Sequence, residues 1–496
     1  MNSACARRWL VLALVPIVMG VAGTSSLAWE DSPAELPRYR LRVGQELTYR
    51  GSNDFAYERG SLAYTFLDRA WVTRQNPDGS WRVVLCYQNQ MTQQSKPKLN
   101  SLKSIVGWVA TKAQEAAKAA PADEEPGDPR LAYVDLHPDG RVVLNESITA
   151  SFNPVAPEAI FPPLPASAEQ ARQGWHDDNP GTMEARNDYQ LAPEEAGNVV
   201  ILATHRNMFD KIYLSSAKSQ FTFDPKRGIV TGVANENNQG YGFVGKGTGG
   251  LSLTGTVDHD AAWVATMARE SEVFFTASLA YQDALKQANR ATADVASVLA
   301  AAETGLKEAQ ARLTLPMFAG ALDAQIKQHA ASASYYAEEA KTRGEAVGQP
   351  AAEWELKDLA GQTHTLAGYR GQVVVLDFWY RGCGWCIRAM PQMKQLADDF
   401  HGQPVAILGM NKDANLKDAQ FVADAMGLNY PTLVQAESVP EKYKVRGFPT
   451  LVIVDPRGKI AEVHVGYSPT LREEVGGTIR RLLREQPGIA SSPKAN

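Results

Sequence analysis

The stretch "LDFWYRGCGWCIRAMP", Leu376 to Pro391, decides how the C-terminal third of this chain is read. Cys383 and Cys386 stand two residues apart, directly after the apolar run "VVVLDFW". Such a pair is half of a metal site, a structural bridge or a redox centre. Zinc would need two more soft ligands. Besides Cys5 near the N-terminus, the remaining cysteine is Cys86, far off in sequence, and no Cys/His pair at ligand spacing lies close by. A structural bridge is the plain alternative, although a Cys-x-x-Cys ring is small and readily reduced. A cysteine that begins a helix meets unpaired N–H groups and a partial positive charge, which favour its thiolate. A cysteine one turn later shares its face.

The flanking pattern supports a strand-to-helix junction. From Gln349 the chain reads as a hairpin and the strand "VVVLDFW", then a helix with Pro391 inside it. Strand "VAILGMN", helix "NLKDAQFVADAM", strand "PTLVQA", a short helix "VPEKYKV", a hairpin through "GFPTLVIVDPRGKIAEVHVG" and a last helix follow. Alternating strands and helices predict an α/β sheet.

Here the chain resembles a known family. "DFW-x3-C-x2-C-x4-P", with "GFPT" roughly sixty residues later, is similar to thioredoxin. The lead-in "WELKDLAGQTHTLAGYRGQVVVLDFW" and the helix and strand between "GMNKD" and "GFPT" resemble the TlpA/ResA-like subgroup of exported thioredoxin-like proteins. The resemblance spans residues 351–484. It implies that Cys383 attacks, that Cys386 resolves and that the two form a redox-active disulfide. It also implies a cis Phe448-Pro449 bond facing that disulfide and a client surface of Trp379, Trp385, Phe448 and Pro449. Asp377 matches the buried acid that exchanges a proton with the resolving cysteine. The chain departs from the pattern at several positions. Ala389 stands where the subgroup often has Glu, Asp377 where it often has Asn, and Gly409 where thioredoxin has a lysine beside the acid. Gly384-Trp385 replaces the usual Gly-Pro.

Outward from this domain the chain changes character. Residues 1–28 have the layout of a secretory signal: Arg7 and Arg8, an apolar segment of about 14 residues, then Ser26-Leu27-Ala28. That segment is short for a membrane span of about 20 residues. Residues 38–260 read as a β-rich domain of unknown role, an antiparallel sandwich or barrel. "SWRVVLCYQ", "NVVILATH", "SQFTFD" and "GLSLTGTV" alternate, and "NPDGS" and "HPDGR" are hairpin signals. An Ala/Lys-rich helical stretch near 101–120 and the acidic loop "PADEEPGDP" interrupt it. Cys86 reads as a small buried residue. "GYGFVGKGTGG", Gly240 to Gly250, nearly spells a phosphate loop, but Gly247 stands where Ser or Thr should hold magnesium. It is expected to be a glycine-rich hairpin.

Residues 261–345 read as a long α-helical hairpin. Ser278, Leu285, Thr292, Leu299, Leu306 and Leu313 repeat every seven residues, and Phe274, Tyr281, Ala288, Val295, Ala302 and Ala309 interleave with them. One helix of about 75 Å is expected, broken at Pro316 and followed by a second. His329 falls on the inner seam as a packed residue. Self-association is the runner-up role for this hairpin.

The chain is thus read as multidomain: an N-terminal mainly-β domain, an α-helical hairpin and a thioredoxin-like α/β domain at 350–490. The implied function is an exported thiol–disulfide oxidoreductase of the periplasm or cell envelope. It reduces or isomerises disulfides of envelope proteins and takes electrons from a membrane thiol reductase, with no metal and no other cofactor. A net charge of −5 gives no reason to expect nucleic acid. Two rivals differ in class. A peroxiredoxin-like thiol peroxidase wants Thr or Ser three residues before the reactive cysteine, where Tyr380 stands. The other rival is a non-enzymatic envelope-binding protein with a redox-regulated domain.

Overall fold

The computed structural model describes residues 35–57, 60–95, 129–144, 157–179, 185–207, 209–240, 244–290 and 294–485. The expected signal, the helical stretch at 101–120 and nearly all of the acidic loop lie outside the described residues. No helix among the described residues is long and apolar enough to cross a membrane.

The first sheet is built from β1 (Gln45–Tyr57), β2 (Gly60–Gln75), β3 (Trp81–Ser95), β4 (Arg130–Leu136), β5 (Val142–Leu144), β6 (Trp175–Asn179), β7 (Ala185–Glu195), β8 (Asn198–Asn207), β9 (Ser216–Asp224), β10 (Ile229–Gln239) and β11 (Gly245–Asp258). Among the described residues, two short helices interrupt it, α1 (Ala168–Gln173) and α2 (Asp210–Tyr213). The strand order is β5-β4-β3-β2-β1-β11-β10-β9-β8-β7-β6. Two antiparallel meanders therefore meet where β1 pairs with β11, Gln45 opposite Asp258 and Tyr57 opposite Gly245.

This corrects the expected sandwich or barrel to one sheet whose edges, among the described residues, are β5 and β6. Helices cover its buried face where a second sheet was expected. Phe274 and Phe275 join Trp71, Val83 and Phe223 in one core, and the Tyr133 and Phe275 rings lie 4.5 Å apart. Alternation specifies which side of a strand is buried but not what covers it. Bulges at Thr48/Tyr49, Val72/Arg74 and Val230/Gly232 bend the sheet. Of the glycine-rich run, residues 241–243 lie outside the described residues, and Gly245–Gly250 form the start of β11. A Cβ on Gly250 would sit 2.2 Å from the Val233 carbonyl oxygen, so the close strand approach requires glycine there. Cys86 is buried in this core.

Among the described residues the helical region differs from the expected hairpin in having three helices, α3 (Ala261–Arg290), α4 (Val295–Gln310) and α5 (Pro316–Ala346). The run breaks before Pro316, between α3 and α4, and Asp294 there adopts a left-handed φ of 58°. The predicted seams are real: Phe274, Tyr281, Ala288, Val295, Leu299, Leu306 and Ala309 are all buried. A single 75 Å helix would leave half of that seam bare. Folding back lets α4 cover α3 and α5, with Val295 and Leu299 meeting Ala288 and Ala340. Helices α3 and α5 run parallel: Phe274 meets Phe318, Tyr281 meets His329, and Arg343 donates to the Ala288 carbonyl at 2.6 Å. The Glu270 carboxylate accepts from Thr314 N, Thr314 Oγ1 and Leu315 N, closing the α4–α5 turn.

The second sheet holds β12 (Glu355–Asp358), β13 (Thr363–Thr365), β14 (Val373–Trp379), β15 (Val405–Asn411), β16 (Thr432–Val434), β17 (Thr450–Val454) and β18 (Ile460–Val465). Its order is β13-β12-β16-β15-β14-β17-β18, with β14–β15 and β15–β16 parallel. Helices α6 (Gly384–Asp399), α7 (Leu416–Met426), α8 (Val439–Lys442) and α9 (Leu471–Arg484) complete the domain. Every residue of β14 is buried. Leu376 and Phe378 feed one core, and Val373 and Val375 feed the other, shared with α6 and α9. A strand enclosed on both faces reads as a continuous apolar run, which is why "VVVLDFW" was legible.

Candidate active site

Strand β14 ends at Trp379, and four residues later Cys383 caps the N-terminus of α6. Its Sγ accepts the Cys386 N–H at 3.1 Å, and the two cysteines are joined by a disulfide. The loop before them is pinned. Arg381 N donates to Asp413 Oδ2 at 2.8 Å, and the Arg381 guanidinium meets Asp418 at 2.6 Å. When the bond is reduced, the Cys383 sulfur sits where the helix terminus favours a thiolate. Cys383 is 5% exposed and Cys386 2%.

Asp377 lies on β14, on the same face as Val375 and Trp379, and is 2% exposed. Burial pushes its carboxyl up to about 7, against the pull of a hydrogen bond from the Tyr430 hydroxyl at 3.4 Å. Burial, then the neighbouring Asp377, pushes the Tyr430 phenol well above its ordinary range. Gly409 is opposite Asp377 in the β14–β15 register, where the lysine was expected. A Cβ there would lie 2.9 Å from the Trp379 Nε1, so the indole fills that space. Tyr430 takes the place beside the acid. Sequence reading missed it because nothing local links a residue before β16 to β14.

The four residues expected at the client surface separate. Trp385 is 40% exposed, stacks on Tyr467 and lies under the Arg388 guanidinium at 4.5 Å. Phe448 is half-buried, packs edge-on against Tyr380 and carries Lys412 Nζ over its ring at 4.7 Å. The Phe448-Pro449 bond is cis, and Pro449 is buried. Trp379 is corrected from surface to core. It is fully buried among Cys383, Cys386, Ile387 and Met390, so it supports the pair from beneath. Tyr380, Arg388, Lys412 and Tyr467 were not anticipated. Also unanticipated are Phe209 and Ile212 from the first domain, which share the cluster of the two cysteines.

A disulfide across the first turn of the helix that follows the central strand of such a sheet defines a thioredoxin-fold thiol–disulfide centre. Residues 347–463 match the AhpC/TSA family. Over 122 residues the chain is 34% identical to the thiol-disulfide oxidoreductase ResA of Geobacillus thermodenitrificans, covering 24% of this chain and 70% of that protein. It is 31% identical over 122 residues to the thioredoxin-like protein YneN of Bacillus subtilis, covering 24% and 71%. The solved thioredoxin domain of a thiol-disulfide oxidoreductase from Bacteroides vulgatus is 27% identical, with a TM-score of 0.26, covering 27% of this chain and 98% of that one. The chain belongs, through its C-terminal domain, to the ResA-like thiol-disulfide oxidoreductases. It is a thiol-disulfide oxidoreductase.

Proposed function

We propose that this is an exported oxidoreductase that reduces or isomerises disulfides of cell-envelope proteins through Cys383 and Cys386. The observation that carries the reading is the disulfide at the N-terminus of α6, with Cys383 as the cap. In the reduced enzyme the Cys383 thiolate attacks one sulfur of the client disulfide, and the other client sulfur leaves as a thiolate. Cys386 then passes its proton to ionised Asp377 and attacks the Cys383 sulfur of the mixed disulfide. The second client sulfur leaves and is protonated. The client gains two electrons, and the enzyme pair is oxidised. A membrane thiol reductase returns the electrons. Trp385, Phe448 and Pro449 frame the client, with Trp379 beneath.

Residues 1–28 serve as the export signal, 38–260 as a client-selecting or tethering β-domain, 261–345 as the helical packing element that covers the β-domain's core and 350–490 as the catalytic domain. The test is Cys386→Ser expressed in intact cells. It is expected to accumulate covalent complexes with envelope proteins that dissolve on reduction. If Cys383→Ser traps the same partners and Cys386→Ser traps none, the two roles are reversed. Turnover of hydrogen peroxide without disulfide reduction would favour the peroxidase reading instead.

A further inference from the structure

The β8–β9 connection of the first domain lies over the disulfide of the second. Pairing of these strands ends at His205 opposite Ala217. Between them lie Phe209 and the short α2, a stretch with apolar residues where a hairpin tip is ordinarily polar. Phe209 and Ile212 are buried in one cluster with Cys383, Cys386, Trp379 and Met390, and Tyr213 packs against that cluster. A Cβ on Gly384, next to Cys383, would lie 3.5 Å from the Tyr213 hydroxyl. Burial lowers the pKa of the Arg388 guanidinium, and Tyr467 and Tyr213 oppose that shift, which places Tyr213 near Arg388 as well. Gly240 N donates to the Tyr213 carbonyl at 3.2 Å, so the tip is tied to the first domain.

This placement conflicts with the chemistry. Exchange needs the incoming sulfur to approach Cys383 Sγ in line with the bond that breaks. Cys383 is only 5% exposed, so little open surface is left by which a folded protein could bring its sulfur to that position. We propose that the β8–β9 tip is a displaceable cap. Phe209, Ile212 and Tyr213 hold the seat that a client's own segment takes during exchange, so the β-domain sets which disulfides reach Cys383. The inference rests on the reading of Cys383 as the attacking cysteine. Other interdomain contacts suit such a release. Lys444–Glu345 and Arg446–Glu338, between α5 and the thioredoxin-like domain, are exposed ion pairs and hold weakly. Arg290–Glu474 and Arg446–Glu339, each with a buried or half-buried carboxylate, anchor the helices so that the tip can move without the domains parting. The apolar cap is the contact that a client must replace. A client that brings apolar side chains beside its cysteine competes for the seat, whereas a small hydrophilic disulfide does not.

The experiment uses the reduced full-length chain. Cys383 is labelled with N-ethylmaleimide or with a 5 kDa polyethylene glycol maleimide, and the labelled cysteine is located by peptide mass spectrometry. The triple variant Phe209→Ala, Ile212→Ala, Tyr213→Ala is expected to speed the bulky label at least about tenfold and the small label less than about threefold. An unchanged bulky rate, with buried Cys86 still unlabelled, overturns the cap. If the triple variant also exposes Cys86, it has lost its fold. Tyr213→Ala alone then decides by the same ratio. Reduction of insulin and of glutathione disulfide is measured in parallel. If the chain reduces neither, the exchange reading falls, while the labelling ratio still decides the cap.

Discussion

Asp68 on β2 and Asp377 on β14 are the same residue type in two different sheets. Burial pushes both carboxyls up to about 7. Asp68 lines a cleft of about 250 Å³ with Ser52, Asn53, Phe66, Tyr87 and Gln88, where the charge of Arg130 pulls its pKa back. Asp377 lies behind the disulfide helix with a tyrosine hydroxyl at 3.4 Å. A raised pKa is therefore no signature of catalysis on its own. Desolvation raises any carboxyl enclosed by a sheet, and the neighbouring chemistry decides whether the proton has anywhere to go.

The largest expected effect treats the two acids alike. Each binds a proton more tightly folded, near 7, than unfolded, near 3.8. The native state then holds more protons across that window, so each contributes stability that is fully present below about pH 4 and lost as pH rises through 7. Asp377→Asn and Asp68→Asn should each recover up to about 4 kcal/mol at pH 8 and almost nothing at pH 4. Hydrogen exchange of β14 and β2 amides at both pH values measures this region by region. A gain that is equal at both pH values would show that burial of the charge is not the cause.

The next effect separates them. Asp377→Asn should slow resolution of the mixed disulfide by roughly 10- to 100-fold at pH 7. The deficit should shrink at higher pH as Cys386 ionises unaided. Asp68→Asn should leave this step unchanged. Stopped-flow decay of the mixed disulfide against pH checks both. An unaltered rate in Asp377→Asn at every pH would reduce Asp377 to a packing residue, equivalent to Asp68.

The smallest effect concerns the surface. Lys412 sits over the Tyr380 and Phe448 rings at 5.2 and 4.7 Å and is itself exposed. Exposed cation–π contacts are worth about 0.5–1 kcal/mol. Lys412→Ala should raise the KM for a protein disulfide by less than about fivefold and leave kcat for a small disulfide unchanged. A large loss of kcat would instead place Lys412 in the chemistry.

The sequence by itself determined whatever is encoded locally. The enclosed strand "VVVLDFW", the Cys-x-x-Cys at a helix start and the alternation of the β-strands each depend on residues near one another in the chain. So does the small-residue seam of the helices, since a period of seven names the buried side of a helix. The tertiary structure decided the partners that those faces meet. The same seam suits one long helix or several shorter ones, and only the packing of α4 back onto α3 and α5 selects three. Asp377 was legible from its distance to Cys383, but its Tyr430 partner and the indole that excludes a lysine at 409 come from separate strands brought into register. Phe209, Ile212 and Tyr213 gave no signal beyond apolar residues in a hairpin tip. Their place over Cys383 follows from how two domains sit together, and no local pattern of side chains encodes a contact across more than a hundred and fifty intervening residues.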